Sequence, residues 1–299
     1  MTNIRPTTRL RQLLAEPGLI MAPGAIDAMV ARLVERAGFP AVYMTGGGTA
    51  LKSGFPDVGL LTVNEMVENA AFIAAAVDIP VIADADTGYG NPVTLRRAVR
   101  EFERAGVAAI HLEDQVWPKK CGHLLGKRLI PVREMCNKIA SAVEARSDPD
   151  FVIIARCDAL LVTGLDDALA RGRAYVEAGA DVLFIESPRS LAEIEAIAQA
   201  FAGVVPLLFN VSASGKTPFL DRAELERLGY KIAIYPNFAT LAMMKAARRV
   251  LERLRQTGSV TAILSDCDTF ADFVDLAGLP EVQALEERYG FPEEARTSV

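Results

Sequence analysis

The sequence predicts an α/β fold, a closed (β/α)8 TIM barrel followed by a C-terminal helical extension. Three observations predict it. Eight short apolar runs alternate strictly with amphipathic segments, which makes a parallel sheet covered on both faces. The runs are continuously apolar, as strands buried on both sides are. Eight such units in roughly 240 residues suit a closed barrel better than an open sheet, whose usual strand count is smaller.

The first run, Leu19-Ile20-Met21, leads through Pro23-Gly24 into a helix over Asp27–Ala37, where Asp27 caps and Gly38 stops it. Further strands are expected near Ala41–Met44, Val81–Ala83, Ala108–Leu112, Phe151–Ala155, Asp181–Ile185, Val205–Phe209 and Lys231–Tyr235. Helical patterns fall at Thr62–Val77, Thr94–Ala105, Arg133–Ala145, Leu165–Ala178, Leu191–Phe201, Asp221–Arg227 and Phe238–Arg255. The chain shows no internal repeat of the solenoid kind. Residues 1–258 form the barrel domain, and residues 259–299 form an extension of it with apolar segments at Phe270–Leu276 and Val282–Tyr289. Helices so short are unstable alone and must cover the barrel's flank or a neighbouring subunit.

The net charge of −6 is scattered over both signs, which excludes a basic footprint for nucleic acid and a polybasic membrane arm. The first residues, Met1 to Arg11, are polar with three arginines, and no apolar stretch approaches a membrane span. A soluble, cytoplasmic protein with a small-molecule partner is expected. The four cysteines lie far apart without C-x-x-C pairs, against a zinc ribbon or a disulfide framework. Cys136, Cys157 and Cys267 read as apolar filler. Cys121 differs, because Trp117-Pro118-Lys119-Lys120-Cys121-Gly122-His123 sets its thiol among two ammonium groups and an imidazole. Cations favour the thiolate and an anionic substrate favours the thiol, so its proton is expected near balance.

Catalytic groups of barrels lie at the carboxyl ends of the strands, and here those ends are strongly polar. The second strand ends in Tyr43-Met44-Thr45-Gly46-Gly47-Gly48, a glycine turn with N–H groups free to face a carboxylate or phosphate. Leu51 stands where a dinucleotide fingerprint needs its third glycine. The third strand ends in Asp84-Ala85-Asp86, a carboxylate pair suited to a hard cation such as Mg²⁺ that keeps several waters. The fourth ends in Glu113-Asp114-Gln115 and runs into the Cys121 loop; His111, inside that strand, is expected to pack or bond in the core. The remaining ends are Arg156-Cys157-Asp158, Glu186-Ser187, Asn210-Val211-Ser212 and Tyr235-Pro236-Asn237. An arginine at a barrel mouth suits a carboxylate ligand. Ser214-Gly215-Lys216-Thr217 is not a P-loop, since Asn210 takes the first glycine position and Pro218 would break the helix that must follow.

With these residues the chain resembles the isocitrate lyase and phosphoenolpyruvate mutase superfamily. The match runs from Pro23 to about Tyr235 through Tyr43-x-Thr45-Gly46-Gly47, Asp57, Asp84-x-Asp86, Glu113-Asp114-Gln115, Lys119-Lys120-Cys121-Gly122-His123, Arg156 and Asn210. Cys121 in that motif points to the carbon–carbon lyase branch, and Trp117-Pro118 with Gly215-Lys216-Thr217-Pro218 looks most like the alkylmalate lyases. The resemblance implies a homotetramer that exchanges a C-terminal helix. It implies cleavage of a 2-hydroxy dicarboxylate, such as 2,3-dimethylmalate, to an α-keto acid and a carboxylic acid. Mg²⁺, or Mn²⁺, would sit on Asp84 and Asp86 with Asp57 and Glu113 behind waters. Thr45, Gly46, Gly47 and Arg156 would hold the keto-acid end; Gly122, His123, Glu186, Asn210 and Ser212 would line the rest. Cys121 would protonate the departing carbon, and the base stays open between Tyr43, a metal-bound hydroxide and a carboxylate. Ala213 and Leu241 replace a glutamate and an arginine that methylisocitrate lyases use for a third carboxylate, while the alkylmalate lyases also tend to carry glutamate at the first of these. A decarboxylase or hydrolase of oxaloacetate-like acids, P–C bond chemistry, and a non-catalytic binding protein remain the alternatives.

Overall fold

The computed structural model describes residues 4–290. Eight parallel strands close in sequence order: β1 (Ile20–Ala25), β2 (Val42–Met44), β3 (Val81–Asp84), β4 (Ala109–Glu113), β5 (Val152–Cys157), β6 (Val182–Ile185), β7 (Leu207–Asn210) and β8 (Ile232–Tyr235). The pairing of Ile20 with Ile232 and of Pro23 with Tyr235 seals β1 to β8. The expected α/β barrel is therefore present, with all eight strands where the apolar runs placed them. Every residue of β2 to β6 is buried, which explains why these strands read as continuous apolar runs rather than alternating ones.

The helices are α1 (Pro6–Ala15), α2 (Ala28–Arg36), α3 (Gly46–Lys52), α4 (Val63–Ala76), α5 (Leu95–Arg104), α6 (Val132–Ala145), α7 (Leu165–Glu177), α8 (Leu191–Phe201), α9 (Arg222–Leu228), α10 (Phe238–Thr257), α11 (Phe270–Leu276) and α12 (Leu279–Tyr289). Asp27 caps α2 as its sequence position suggests, and Thr62 and Asp221 open α4 and α9 with reciprocal capping boxes. Two helices depart from the sequence expectation. The polar start contains α1, whose Leu10 and Leu13 join the barrel core while Arg11 bonds the Asp150 carbonyl and the Asp181 carboxylate. It thus covers the amino-terminal ends of the strands. The glycines after β2 form no open turn but the first turn of α3, capped by Thr45, whose Oγ1 accepts from the Gly48 N–H at 3.3 Å. Glycine is a poor helix former, and proximity requires it here. A Cβ on Gly46 would stand 2.3 Å from Asp84 Oδ2, and one on Gly48 would stand 2.6 Å from Ile26 Cγ2.

The chain divides into two compact units, Met1–Thr240 and Leu241–Val299. The first holds the barrel. In the second, α11 and α12 pack on each other and Arg249 pairs with Asp266 at 2.8 Å. Phe270 and Phe273 are stacked and largely exposed. Among the described residues no helix is long and apolar enough to cross a membrane.

Candidate active site

The carboxyl ends of β2 to β6 and the segments after them bring six carboxylates, Asp57, Asp84, Asp86, Glu113, Asp158 and Glu186, into one largely buried network with Lys119, Lys127 and Arg156. At the end of β3, Asp84 Oδ1 accepts from the Asp86 N–H at 2.9 Å, so one carboxylate shapes the turn that presents the other. Asp86 there adopts left-handed backbone, φ 46°, as do Tyr89 (56°) and Ser187 (62°), and all three lie at the barrel mouth. Such strain persists only where the surroundings dictate it. Behind Asp84, Tyr43 places its hydroxyl 2.8 Å from His111 Nε2 and 3.4 Å from Asp84 Oδ2. Burial holds the Tyr43 phenol well above its usual range and takes His111 down to about 4, so both are neutral at pH 7. His111 packs in the core, as its place inside β4 suggests.

Lys119, almost fully buried, reaches Asp57 Oδ1 at 2.5 Å and Asp86 Oδ1 at 2.7 Å. The sequence placed this ammonium beside the thiol; the structure turns it to the carboxylates. Lys120 is also turned away, its Nζ donating to the Leu125 carbonyl at 3.4 Å. Cys121 is consequently not balanced between thiol and thiolate. Burial, followed by the Asp57 charge, pushes it up to about 11. Alkylation by iodoacetamide, read on the Cys121 peptide by mass spectrometry, should therefore rise about tenfold per pH unit between roughly pH 7 and 9, because the reactive thiolate fraction does. A plateau below pH 8 would contradict a thiol this weakly acidic.

Arg156, at the end of β5, is surrounded by acids. Its Nη1 lies 2.8 Å from Glu113 Oε2, its Nη2 donates to Asp158 Oδ1 at 3.2 Å, and its Nε lies 3.0 Å from Asp158 Oδ2 and 3.8 Å from Glu186 Oε2. Its guanidinium also stacks over Phe184, 5.4 Å from the ring centroid. These pairings hold Asp158 and Glu186 below the usual carboxylate range. Glu186 further accepts from Asn210 Nδ2 at 3.1 Å and Ser187 Oγ at 2.8 Å, and lies 3.2 Å from His123 Nε2. Gly122 fits beneath this cluster only without a side chain, since its Cβ would stand 2.6 Å from Arg156 Nη2.

Tyr43, Asp84, Asp86, Asp57, Glu113, Gly122, His123, Arg156, Glu186 and Asn210 are thus brought together, and Cys121 N–H donates to the Asp57 carbonyl at 3.1 Å. Gly46 and Gly47 begin α3 beside Asp84 and Asp57. Ser212 instead accepts from the Ser214 N–H at 3.2 Å, and it is Ser214 Oγ that lies 3.0 Å from His123 Nδ1. Sequence reasoning gave no site role to Ser214, Ser187, Lys127, Lys216 or Asp158. Asp158 and Ser187 carried a signal, their place at strand ends. Asp114, next to Glu113, faces the helical layer and bonds Tyr175 and Arg171.

The donor set fits a hard divalent cation. Asp84 and Asp86 are nearly inaccessible, and neither oxygen of Glu113 makes a hydrogen bond among the described residues. Burial raises Asp86 to about 6 and Glu113 well above its usual range, against the opposing pull of Lys119 and Arg156. No three acidic, histidine or cysteine side chains converge as a closed cage among the described residues. A two-carboxylate site of this kind suits Mg²⁺, which keeps water and substrate oxygens.

This barrel with acids, a protonated thiol and an arginine at its mouth defines a lyase of the PEP mutase/isocitrate lyase superfamily, and the comparisons with known proteins agree. The phosphoenolpyruvate phosphomutase family profile matches residues 10–255, and the chain belongs to that family. It is 48% identical over 282 residues to 2,3-dimethylmalate lyase of Eubacterium barkeri, covering 94% of this chain and 97% of that protein. It is 43% identical to 2-methylisocitrate lyase of Aeropyrum pernix, over 92% of this chain and 88% of the other. A crystal structure of 2,3-dimethylmalate lyase superposes with a TM-score of 0.92 at 39% identity, covering 99% of each chain. A phosphonopyruvate hydrolase solved with oxalate and Mg²⁺ superposes at 0.88 with 35% identity, covering 96% of this chain and 99% of that one.

Proposed function

We propose that this enzyme cleaves the C2–C3 bond of a 2-hydroxy dicarboxylate bearing small alkyl groups, releasing an α-keto acid such as pyruvate and a second carboxylic acid. The observation that carries the reading is the Cys121 thiol, protonated at neutral pH and fixed beside Asp57 and Gly122 above the buried carboxylates. Retro-aldol cleavage needs two proton movements: the 2-hydroxyl loses one, and the carbon that leaves with the C2–C3 electron pair gains one. Cys121 supplies the second as general acid. The first goes to the carboxylate cluster, because the buried phenol of Tyr43 keeps its own proton. Arg156, backed by Glu113 and Asp158, attracts the carboxylate at the keto-acid end with the N–H groups that open α3. Asn210 and His123, both in contact with Glu186, hold the distal carboxylate. Mg²⁺ on Asp84 and Asp86, with Asp57 and Glu113 behind waters, would supply the positive charge that stabilises oxygen at C2.

The similarity to 2,3-dimethylmalate lyase supports this substrate class, and so does Leu241, whereas Ala213 departs from the alkylmalate lyases as well. Ala213 and Leu241 stand where the methylisocitrate lyase pattern carries a glutamate and an arginine, so a third carboxylate would lack the cation that pairs with it. A Mg²⁺-dependent pyruvate-release assay should give a higher kcat/KM for mono- or dialkylmalates than for 2-methylisocitrate, and Leu241→Arg should move the ratio toward the tricarboxylate. A kcat/KM for 2-methylisocitrate above every alkylmalate would sink the preference. Release of acetate and oxalate from oxaloacetate, without pyruvate from any malate, would replace the lyase by a hydrolase. On the same reading the chain forms a homotetramer, for which the exposed Phe270 and Phe273 are the support. The four free cysteines suit a reducing, cytoplasmic setting.

A further inference from the structure

We infer that Lys216 is a positioning residue, reaching from the loop after β7 to hold the Cys121–His123 turn in place and acting on the thiol through His123. Its Nζ donates to the His123 carbonyl at 2.7 Å, across 93 residues of sequence. Two residues earlier, Ser214 Oγ meets His123 Nδ1 at 3.0 Å, so the same loop grips both the backbone and the ring of one residue. The loop is shaped to do this. The Ser214 N–H bonds Ser212 Oγ, the Lys216 N–H bonds Ser214 Oγ, and Gly215 between them takes the left-handed φ of 70° that lets both side chains reach the same neighbour. The run Ser214-Gly215-Lys216-Thr217, which binds no nucleotide phosphate by its sequence context, has this contact as its role.

The preceding carbonyl is held as well. Gly122 O accepts from Lys127 Nζ at 2.7 Å and Ser187 Oγ at 3.2 Å, and Lys127 is itself fixed by Asp158 Oδ1 at 2.7 Å. A trans peptide is planar, so aiming the Gly122 carbonyl at Lys127 points the His123 N–H the opposite way, and that N–H donates to the Cys121 sulfur. Lys127 and Ser187 set the direction of the peptide from below. Lys216 secures the next peptide, at the His123 carbonyl, from the rim. The donors come from the thiol's own loop after β4 and from the loops after β6 and β7, so two other loops share in setting the thiol's position.

Lys216 is exposed, which makes it replaceable without disturbing the core. The test compares wild type with Lys216→Met and Lys216→Arg, first in the absence of substrate, by the rate of Cys121 alkylation with iodoacetamide at one pH. Loss of this charge-assisted bond should raise the rate roughly three- to tenfold in Lys216→Met, while Lys216→Arg stays near wild type. An unchanged rate in Lys216→Met overturns the inference whatever the enzyme's substrate. The kinetic arm rests on the lyase reading: with an accepted alkylmalate, kcat should fall by a similar factor while KM holds, and Lys216→Arg should recover it. Raised alkylation with an unchanged kcat overturns the catalytic importance of the contact. A wild type that cleaves no malate defeats the lyase reading and leaves the alkylation result to decide the inference.

Discussion

Asp84→Ala should reduce turnover to below about one-thousandth of wild type, and added Mg²⁺ or Mn²⁺ should not restore it. Asp84 is nearly inaccessible, accepts the Asp86 N–H and stands against the α3 glycines, so its loss removes one carboxylate and releases the other. Lys119 remains tied to Asp57 and Asp86, and the site then holds less negative charge with which to attract a cation. Dialysis of the wild type against EDTA should abolish activity in the same way, with recovery on titration with Mg²⁺ or Mn²⁺ in that protein only. Steady-state pyruvate release before and after chelation reads both. Full activity in EDTA would remove the cation from the mechanism.

Cys121→Ser should bind substrate nearly as well and turn over at least about a hundredfold more slowly, as expected for a lost proton donor. The substitution keeps the size of the side chain, and the backbone bond from Cys121 N–H to the Asp57 carbonyl does not involve it. A serine hydroxyl gives up its proton far less readily than a thiol near 11. The thiol donates in its protonated form, so wild-type kcat should not decline on its account until the pH approaches its high value. Turnover of Cys121→Ser close to wild type would end the assignment of Cys121 as acid.

The strands were legible because a double-sided burial requirement writes itself as unbroken apolar runs, and their ends were legible because a barrel places its chemistry there. Asp84, Glu113 and Arg156 follow from that rule alone. The misses have separate physical causes. In α1 the interspersed arginines and threonines mask a stripe in which Thr7, Leu10 and Leu13 are buried. In α3 three glycines oppose helix formation by intrinsic preference, and close contacts with Asp84 and Ile26 override it. Around Cys121, adjacency in sequence suggested cationic neighbours, whereas the extended side chains of Lys119 and Lys120 carry their charges elsewhere. Contacts such as Lys127 to Asp158 or Ser214 to His123 depend on loop paths that no local pattern encodes.

The chain of ion pairs from Glu113 through Arg156 and Asp158 to Lys127 constrains how such an enzyme can change. Each member is buried and shares a partner with the next, so altering one strands a charge in the interior and disturbs the others. The chemistry is in this sense locked to the strand ends. In the loop after β7, Ser214 and Lys216 are committed to His123, whereas Ala213 is partly exposed and carries no charge to strand. Divergence toward other acids, in nature or by directed selection, has its open route there: new specificities can be tried on the rim one residue at a time while the reaction beneath is inherited intact.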